Sequence, residues 1–270
     1  MKMKIGFACE NKETEVAIPV EQTVAAPKKS LVRVQFPGRG TALTYYNDRF
    51  DLHVGDLVYV DGKLEGERGR ITEVSYNFKI KLSEYKRVIA VIDTAVKGQL
   101  SFAGSHFVAF DRDVLPAAKI STWFKAPAQE DGEEFVCGND DTAFCLNDLK
   151  GMNVPPAVAE RGHGYYMDNK VVYLCLDGSK GYAIVEGSEA YEVEFDYHNG
   201  EISHLICSCF CSYSCKHEFA AMLQLRETLE RIEKSYAAEY ERTGYFAALV
   251  KSALFAFAVD RHEVGSFVLE

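Results

Sequence analysis

The chain has 270 residues, of which 47% are hydrophobic and 26% are charged, and its formal net charge is −10. This is an ordinary globular composition, with enough length for two or three small domains. No apolar run reaches the roughly 20 residues that a membrane-spanning helix needs, and the N-terminal residues lack the apolar core of a secretory signal. These features argue against a membrane or secreted protein, and we expect a cytoplasmic one.

The charge is divided unevenly along the chain. Residues 28–90 contain 12 Lys and Arg against 8 Asp and Glu, a net charge of +4. Residues 91–270 contain 15 basic and 28 acidic residues, a net charge of −13. Because proteins bind the nucleic-acid backbone by neutralising phosphates with Lys and Arg, we expect any phosphate-binding surface in the first stretch.

Residues 1–95 are predicted to form a small β-rich, barrel-like domain. The β-prone runs LVRVQF, ALTYY, DLVYVDG and GRITEVSY follow one another with frequent glycines between them. Short strands with repeated turn signals are typical of small barrels. The stretch LHVGDLVYVDG…GERGRITEV resembles the SH3-like barrels of KOW type and the small N-terminal domain of primosomal helicases. An ordinary hairpin with alternating strand residues explains the same pattern.

Basic and aromatic residues of this domain are candidates for nucleic-acid contact. The candidate arginines are Arg39, Arg49, Arg68 and Arg70. The tyrosines near them in the sequence are Tyr45, Tyr46, Tyr59 and Tyr76. Proteins that bind single strands combine such side chains, because aromatic rings stack on bases. β propensity alone also explains the tyrosines, as residues that pack the sheet.

Residues 96–161 are predicted to be a connecting region of mixed structure. HFVAFDRDVLPAAKISTWF is compatible with a strand and a short helix, and AQEDGEE and GNDDT with acidic surface turns. Cys137 and Cys145 match no metal-ligand spacing, and we interpret them as buried structural cysteines.

Residues 162–235 are predicted to contain an antiparallel meander and a helix. Four β-prone runs, KVVYLCL, KGYAIVEG, AYEVEFDY and EISHLI, are separated by Asp-Gly, Gly-Ser and Asn-Gly turns. The helix is indicated by apolar residues spaced three and four apart after His217, and we expect it to end near Gly244. These apolar residues are Met222, Leu225, Leu229, Ile232 and Tyr236.

The C-terminal segment, residues 236–270, is predicted to be helical. The run YFAALVKSALFAFAV, residues 245–259, is almost entirely apolar and too short to span a membrane. We therefore expect it to be a buried helix that packs on the preceding helix. The apolar seam of that preceding helix covers about two heptads, fewer than the three or four typical of a coiled coil, so we expect a monomer.

Four potential metal ligands lie in the segment CSCFCSYSCKHEF. Cys207 and Cys209 are two residues apart in a strand, so both thiols can reach one point, and Cys215 and His217 follow a five-residue loop. Three thiolates and one imidazole complete a tetrahedral Zn²⁺ shell with no position left for a substrate water. Such clustering of cysteines also favours a metal over disulfides. The segment therefore predicts one structural Zn²⁺ per chain.

The segment Gly164–Leu225 resembles the SWIM zinc finger, whose pattern is Cys-x-Cys, a loop, and Cys-x-His. The strand runs, the hairpin and the helix start CKHEFAAMLQL match that family as well as the ligands do. The resemblance implies that Cys207, Cys209, Cys215 and His217 bind the zinc in a non-catalytic recognition module. Family members occur in chromatin-remodelling-type ATPases, Mutator-type transposases and small bacterial or phage-associated proteins, where the finger is thought to bind DNA or proteins.

Because of Cys211, a second set of four metal ligands is possible. Cys211 shares strand parity with the two cysteines before it, so Cys209, Cys211, Cys215 and His217 also form a possible shell. That set leaves three residues between the two pairs, whereas SWIM fingers often have the five seen in FCSYS. We expect Cys211 to be a small buried residue or a spare thiol.

The elements together predict an α+β fold: a small N-terminal β-barrel, a meander with a zinc knuckle, and C-terminal helices. The sequence contains no Gly-rich phosphate loop, nucleophile elbow or readable carboxylate pair, so we expect no enzymatic activity. Two functions compete. The first is a nucleic-acid-binding accessory protein that contacts DNA or RNA, and the second is a protein-interaction adaptor in which the zinc is purely structural.

Overall fold

The computed structural model describes residues 28–79, 81, 84–127, 137–138, 143–211, 213–259 and 267–269. Within these ranges the chain has an α+β fold with two sheets, which confirms the predicted fold class. Residues 1–27 of the predicted N-terminal domain and most of the two acidic turns lie outside the described ranges. None of the described helices is long and apolar enough to span a bilayer.

The first sheet has five antiparallel strands. They are β1 (Ser30–Gln35), β2 (Leu43–Asn47), β3 (Leu57–Val60), β4 (Gly69–Ser75) and β5 (Val88–Ile92), in the order β2-β1-β4-β3-β5. The two edge strands approach each other at a single bridge between Tyr46 and Arg87. The Tyr46 N–H donates to the Lys86 carbonyl at 2.9 Å. The sheet is therefore strongly curved but remains open, without the continuous ladder of a closed barrel.

The second sheet has ten strands. They are β6 (Gly98–Ala103), β7 (His106–Ala109), β8 (Cys137–Gly138), β9 (Phe144–Cys145), β10 (Val171–Asp177), β11 (Lys180–Glu186), β12 (Ala190–His198), β13 (Glu201–Cys207), β14 (Tyr245–Val250) and β15 (Phe267–Leu269). The order is β15-β6-β7-β14-β10-β11-β12-β13-β8, and β9 also pairs with β13. β15 is parallel to β6, and the other pairs are antiparallel. The predicted meander is present as β10 to β13.

Within the described residues, five α-helices accompany the sheets. They are α1 (Ala117–Phe124), α2 (Pro156–Met167), α3 (Lys216–Ser235), α4 (Ala237–Thr243) and α5 (Lys251–Leu254). A 3₁₀ turn covers Leu149–Met152, and a π-helical turn, Phe255–Val259, continues α5. The helix predicted after His217 is broken at Tyr236, and α4 ends as expected at Gly244, whose φ of 59° is left-handed.

The two faces of the second sheet are covered differently. One face packs Leu174 and Val193 against Met222 and Leu225 of α3, and this core also contains the end of β13. The opposite face packs Tyr173, Ile184 and Leu249 against α1. Tyr59 and Ile92 of the first sheet belong to this second core, so the two sheets share buried apolar surface. Burial of the apolar face of α3, which includes Met222 and Leu225, holds that helix against the meander and positions its N-terminus beside β13.

The helix predicted for residues 245–259 is wrong over its first part. Residues 245–250 form β14, which lies between β7 and β10 and has both of its faces buried. The sequence of a strand buried on both faces is a continuous run of apolar residues. When such a run is short, its hydrophobic pattern does not distinguish it from a buried helix. Only α5 and the π-helical turn are helical within this stretch.

Candidate metal centre

The four predicted zinc ligands are brought together where β13 meets α3. Cys207 ends β13, Cys209 follows it, Cys215 is the N-cap of α3, and His217 lies in the first turn of that helix. Their four donor atoms all lie within 4.8 Å of one another. Each of the four residues is at most 4% exposed. The arrangement can hold one metal ion away from solvent.

Two of the distances between donor atoms match those of a tetrahedral Zn²⁺ site. His217 Nδ1 lies 3.8 Å from the Cys207 Sγ and 3.7 Å from the Cys215 Sγ. With Zn–S near 2.3 Å and Zn–N near 2.0 Å, tetrahedral coordination places neighbouring donors roughly 3.5–3.8 Å apart. Soft thiolate ligands also favour zinc over hard cations such as Mg²⁺ and Ca²⁺.

Cys215 is positioned by a capping box at the start of α3. Its Sγ accepts from the Glu218 N–H at 3.4 Å, while the Glu218 carboxylate accepts from the Cys215 N–H at 2.8 Å. Burial, together with the nearby Cys215, raises the pKa of Glu218 to about 8. The positive end of the helix dipole favours a thiolate at this N-cap.

The His217 ring is fixed between two tyrosines. It stacks on Tyr191 of β12 with centroids 4.0 Å apart and planes within 15°, and it meets the edge of Tyr165 of α2 at 5.5 Å. Its Nε2 is buried and has no hydrogen-bond partner among the described residues. With the proton on Nε2, the lone pair of Nδ1 faces the sulfur atoms, which is the orientation a metal ligand needs.

Three buried thiols in this arrangement are electrostatically unusual. The hydrogen bond between Cys207 and Cys215 raises the pKa of Cys207 and lowers that of Cys215 to about 4, and burial raises the pKa of Cys209 to about 12. All three sulfurs can be thiolates together only with a cation between them, because like charges in a buried site repel.

Cys211 stands apart from the cluster. It is half-buried against the same core but contributes no donor atom to the group of four. Cys137 is paired opposite Cys207 in the β8–β13 ladder, and Cys145, interpreted from the sequence as buried, is exposed. That expectation for Cys145 is wrong because β9 lies at the sheet margin, where it pairs with β13.

The four candidate arginines lie far from the knuckle in sequence and belong to the first sheet. Arg39, Arg49 and Arg70 are exposed. Arg68 is half-buried, donates to the Trp123 carbonyl and lies over the Phe257 ring at 4.9 Å. None of the ion pairs between described residues involves these four arginines.

Two of the arginines, Arg68 and Arg70, line one cleft between the sheets. We call it the junction cleft, and its main lining residues are Phe36, Arg68, Arg70, Phe124, Ala256 and Phe257. Arg39 lies in the turn that follows Phe36, whereas Arg49 lies in the turn after β2 and does not line the cleft. The structure thus groups part of the predicted arginine set.

The tyrosines of the first sheet are mostly core residues. Tyr45, Tyr46 and Tyr59 are buried, as sheet-packing aromatics are expected to be, and only Tyr76 of the four is exposed. Sequence reasoning missed Tyr165 and Tyr191 as groups that orient His217. It also missed Phe210 and Tyr213, which lie between Cys209 and Cys215 and are 83% and 61% exposed. The position of two aromatic residues between the predicted ligands Cys209 and Cys215 could have indicated an exposed aromatic loop.

No protein-family model and no solved structure matches the chain. Over 69 residues the chain is 36% identical to the uncharacterized protein MJ1493 of Methanocaldococcus jannaschii. That match covers 26% of this chain and 29% of the relative, so the aligned part spans less than a third of either protein.

Proposed function

We propose that the protein is a non-catalytic SWIM-type zinc-finger protein that binds nucleic acid through its N-terminal sheet. In this proposal Cys207, Cys209, Cys215 and His217 hold one structural Zn²⁺ that joins β13 to α3. The burial of all four donors, their placement within 4.8 Å of one another and the distances of His217 Nδ1 from the Cys207 and Cys215 sulfurs support that assignment. In small zinc modules such binding contributes roughly 10–16 kcal/mol to folding.

One observation carries the nucleic-acid assignment: Arg39, Arg49 and Arg70 are exposed and have no carboxylate partner within the described part of the chain. Other arginines are paired. Arg33 of β1 lies 3.7 Å from Glu73, and Arg87, which bridges to β2, lies 3.2 Å from Asp48. Arg39, Arg49 and Arg70 keep their charge available on a stretch with a net charge of +4. Exposed guanidinium groups without a carboxylate partner are suited to bidentate binding of phosphate.

The test uses the zinc-loaded full chain and fluorescence anisotropy with a labelled oligonucleotide. The triple variant Arg39→Glu/Arg49→Glu/Arg70→Glu should bind at least about tenfold more weakly, and its salt slope should fall by roughly 0.7 for each phosphate of the single strand that it no longer neutralises. Arg242→Glu changes an exposed arginine in the acidic part of the chain and is the matched control. Equal affinity of the triple variant and the wild type would contradict the assignment.

A specific feature favours the adaptor as a second candidate. Phe210 and Tyr213 expose large aromatic surfaces on a loop anchored by metal ligands, and aromatic residues of this kind serve as anchors in protein interfaces. The loop belongs to residues 91–270, whose net charge of −13 suits a basic protein partner better than a phosphate backbone. The double variant Phe210→Ser/Tyr213→Ser separates the candidates. It should keep nucleic-acid affinity if the first sheet is the binding surface.

A further inference from the structure

The junction cleft has the size and position of a ligand site. Its volume is about 640 Å³, within the roughly 300–1,000 Å³ of small-molecule sites. Strands of the first sheet form one wall, and α1, α5 and the π-helical turn form the other. Ala253 and Ala256 face the cleft with small side chains and leave it open. π-helical turns are rare and frequently lie at functional sites.

The far wall of the cleft is aromatic and firmly held. Phe257 stacks on Trp123 with centroids 5.0 Å apart and contacts the edge of Phe124 at 5.8 Å. The Arg68 guanidinium lies over the same Phe257 ring at 4.9 Å. Aromatic rings and guanidinium planes are the surfaces on which unpaired bases stack. The Arg68 guanidinium, which lies over Phe257 and lines the cleft, therefore offers a flat surface on which a base can stack.

The charge of the cleft selects for an anion. Arg68 donates to the Trp123 carbonyl, and Arg70 donates to the Gly55 carbonyl at 3.2 Å, so each makes a backbone contact but no ion pair with a described residue. Glu186, the acidic residue in the lining, pairs with Lys170 at 3.9 Å. A phosphate beside Arg70 would meet an available positive charge.

Gln35 adds a polar group at the edge of the cleft. Its amide nitrogen donates to the carbonyls of Phe36 at 3.1 Å and Arg39 at 2.5 Å. Its amide oxygen is then the atom left to accept from the amino or imino group of a base.

Resting on the proposed nucleic-acid function, we propose that the junction cleft accepts one unstacked base of a single strand while Arg70 binds the neighbouring phosphate. A base within a duplex is paired and stacked and cannot enter. The occupant is a polymer because Arg39, in the turn that follows the lining residue Phe36, extends the available positive charge beyond the cleft. A free mononucleotide would occupy the cleft alone and would gain nothing from Arg39.

The test compares two probes that carry equal charge. One is an oligothymidylate of about 12 nucleotides, within the usual range of single-strand site sizes. The other is an abasic strand with the same number of phosphates. The full-length zinc-loaded protein should bind the oligothymidylate roughly 5- to 100-fold more tightly, the range that base stacking supplies. Trp123 is the only tryptophan of the chain and stacks on Phe257, so its fluorescence should change with oligothymidylate and not with the abasic strand.

Filling the cleft gives the decisive variant. Ala256→Phe should reduce oligothymidylate affinity to the abasic level and leave abasic binding unchanged, whereas Ala238→Phe on exposed α4 should alter neither. Equal affinity of the wild type for both probes, without a Trp123 response, would overturn the base-binding role and leave the proposed function standing. Failure of both probes to bind at low salt would overturn both. Thymidine monophosphate binding as tightly as the oligonucleotide would show that the site takes a small anion instead.

Discussion

The ring of Tyr191 lies parallel to the imidazole of His217, 4.0 Å away, and holds the nitrogen Nδ1 toward the cysteine sulfurs. Groups that orient a metal ligand commonly change metal affinity by roughly 10- to 100-fold when they are removed. We therefore expect Tyr191→Ala to weaken zinc binding by about that factor. Competition with a chromogenic chelator measures it. Tyr191→Phe keeps the stacked ring, removes only the hydroxyl that hydrogen-bonds to Ser188, and should behave as the wild type.

The ligand set makes a prediction about Cys211. On the proposed zinc assignment, elemental analysis of Cys209→Ser should show loss of zinc, and hydrogen exchange should accelerate across residues 162–225, because the proposed metal joins β13 to α3. Cys211→Ser should retain about one zinc per chain, because its sulfur lies outside the four-donor cluster. Absence of zinc from Cys211→Ser, with zinc retained by Cys207→Ser, would support the alternative set that begins at Cys209.

A close backbone approach in the meander gives a stability prediction. A Cβ atom on Gly181 would lie 2.0 Å from the ring of Phe195, which is buried in the adjacent strand. Gly181→Ala should lower the free energy of unfolding by roughly 1–3 kcal/mol through overpacking. Gly164 lies in α2, and a Cβ atom added there would meet open space. Gly164→Ala should therefore raise the free energy of unfolding by up to about 1 kcal/mol, because alanine loses less conformational entropy in a helix than glycine does. Urea unfolding of the two variants measures both changes, and destabilisation of Gly164→Ala to the same degree would contradict the steric argument.

The four-donor cluster was predictable because the residues that form it are close together in the sequence. Cys207, Cys209, Cys215 and His217 span a short segment, and strand parity plus one helix start bring their donors together. The meander was predictable for a similar reason, since each hairpin joins consecutive strands through a recognisable turn. The tyrosines that orient His217 come from α2 and β12, and their position depends on packing between segments that are distant in sequence.

Strand β14 and the junction cleft could not be predicted, because both are formed by segments that are far apart in the sequence. Residues 245–250 form a strand only because β7 and β10, more than 60 residues earlier, supply hydrogen-bonding partners on both sides. An apolar run of this length carries no periodicity that separates a buried strand from a helix. The junction cleft depends on the same kind of information, because its walls come from the first sheet, α1 and α5.

The apolar seam of α3 predicts a monomer. Met222, Leu225 and Ile232 are buried in the core between α3 and the second sheet of the same chain, so they cannot form a coiled-coil interface with a second chain. Light scattering at micromolar concentration should give the mass of one chain. Leu229→Glu places a charge on a half-buried position of that seam and should lower stability without changing the mass. A dimer that this substitution abolishes without unfolding would show that the seam is intermolecular.

His106 predicts a loss of stability in mild acid. The residue is fully buried, its Nε2 is 2.7 Å from the Val171 carbonyl, and its Nδ1 is 3.0 Å from the Ser105 hydroxyl. Burial lowers the pKa of His106 below its usual value, and the Val171 hydrogen bond, Glu227 and Lys251 modify that shift. The folded state therefore keeps the ring neutral at a pH where the unfolded chain binds a proton.

The direction of the pH dependence follows from this difference. Above the unfolded pKa of about 6.5, neither state is protonated at this site and its contribution to stability is fully present. As the pH falls below that value, the free energy of unfolding should drop by up to roughly 1.4 kcal/mol per pH unit, until the folded-state pKa is reached. His106→Gln keeps a donor for the Val171 carbonyl but cannot titrate. Urea unfolding at pH 7.5 and 5.5 should give a smaller drop in this variant than in the wild type. Acid release of the proposed zinc would affect both proteins alike, so equal drops would show that His106 does not control the acid sensitivity.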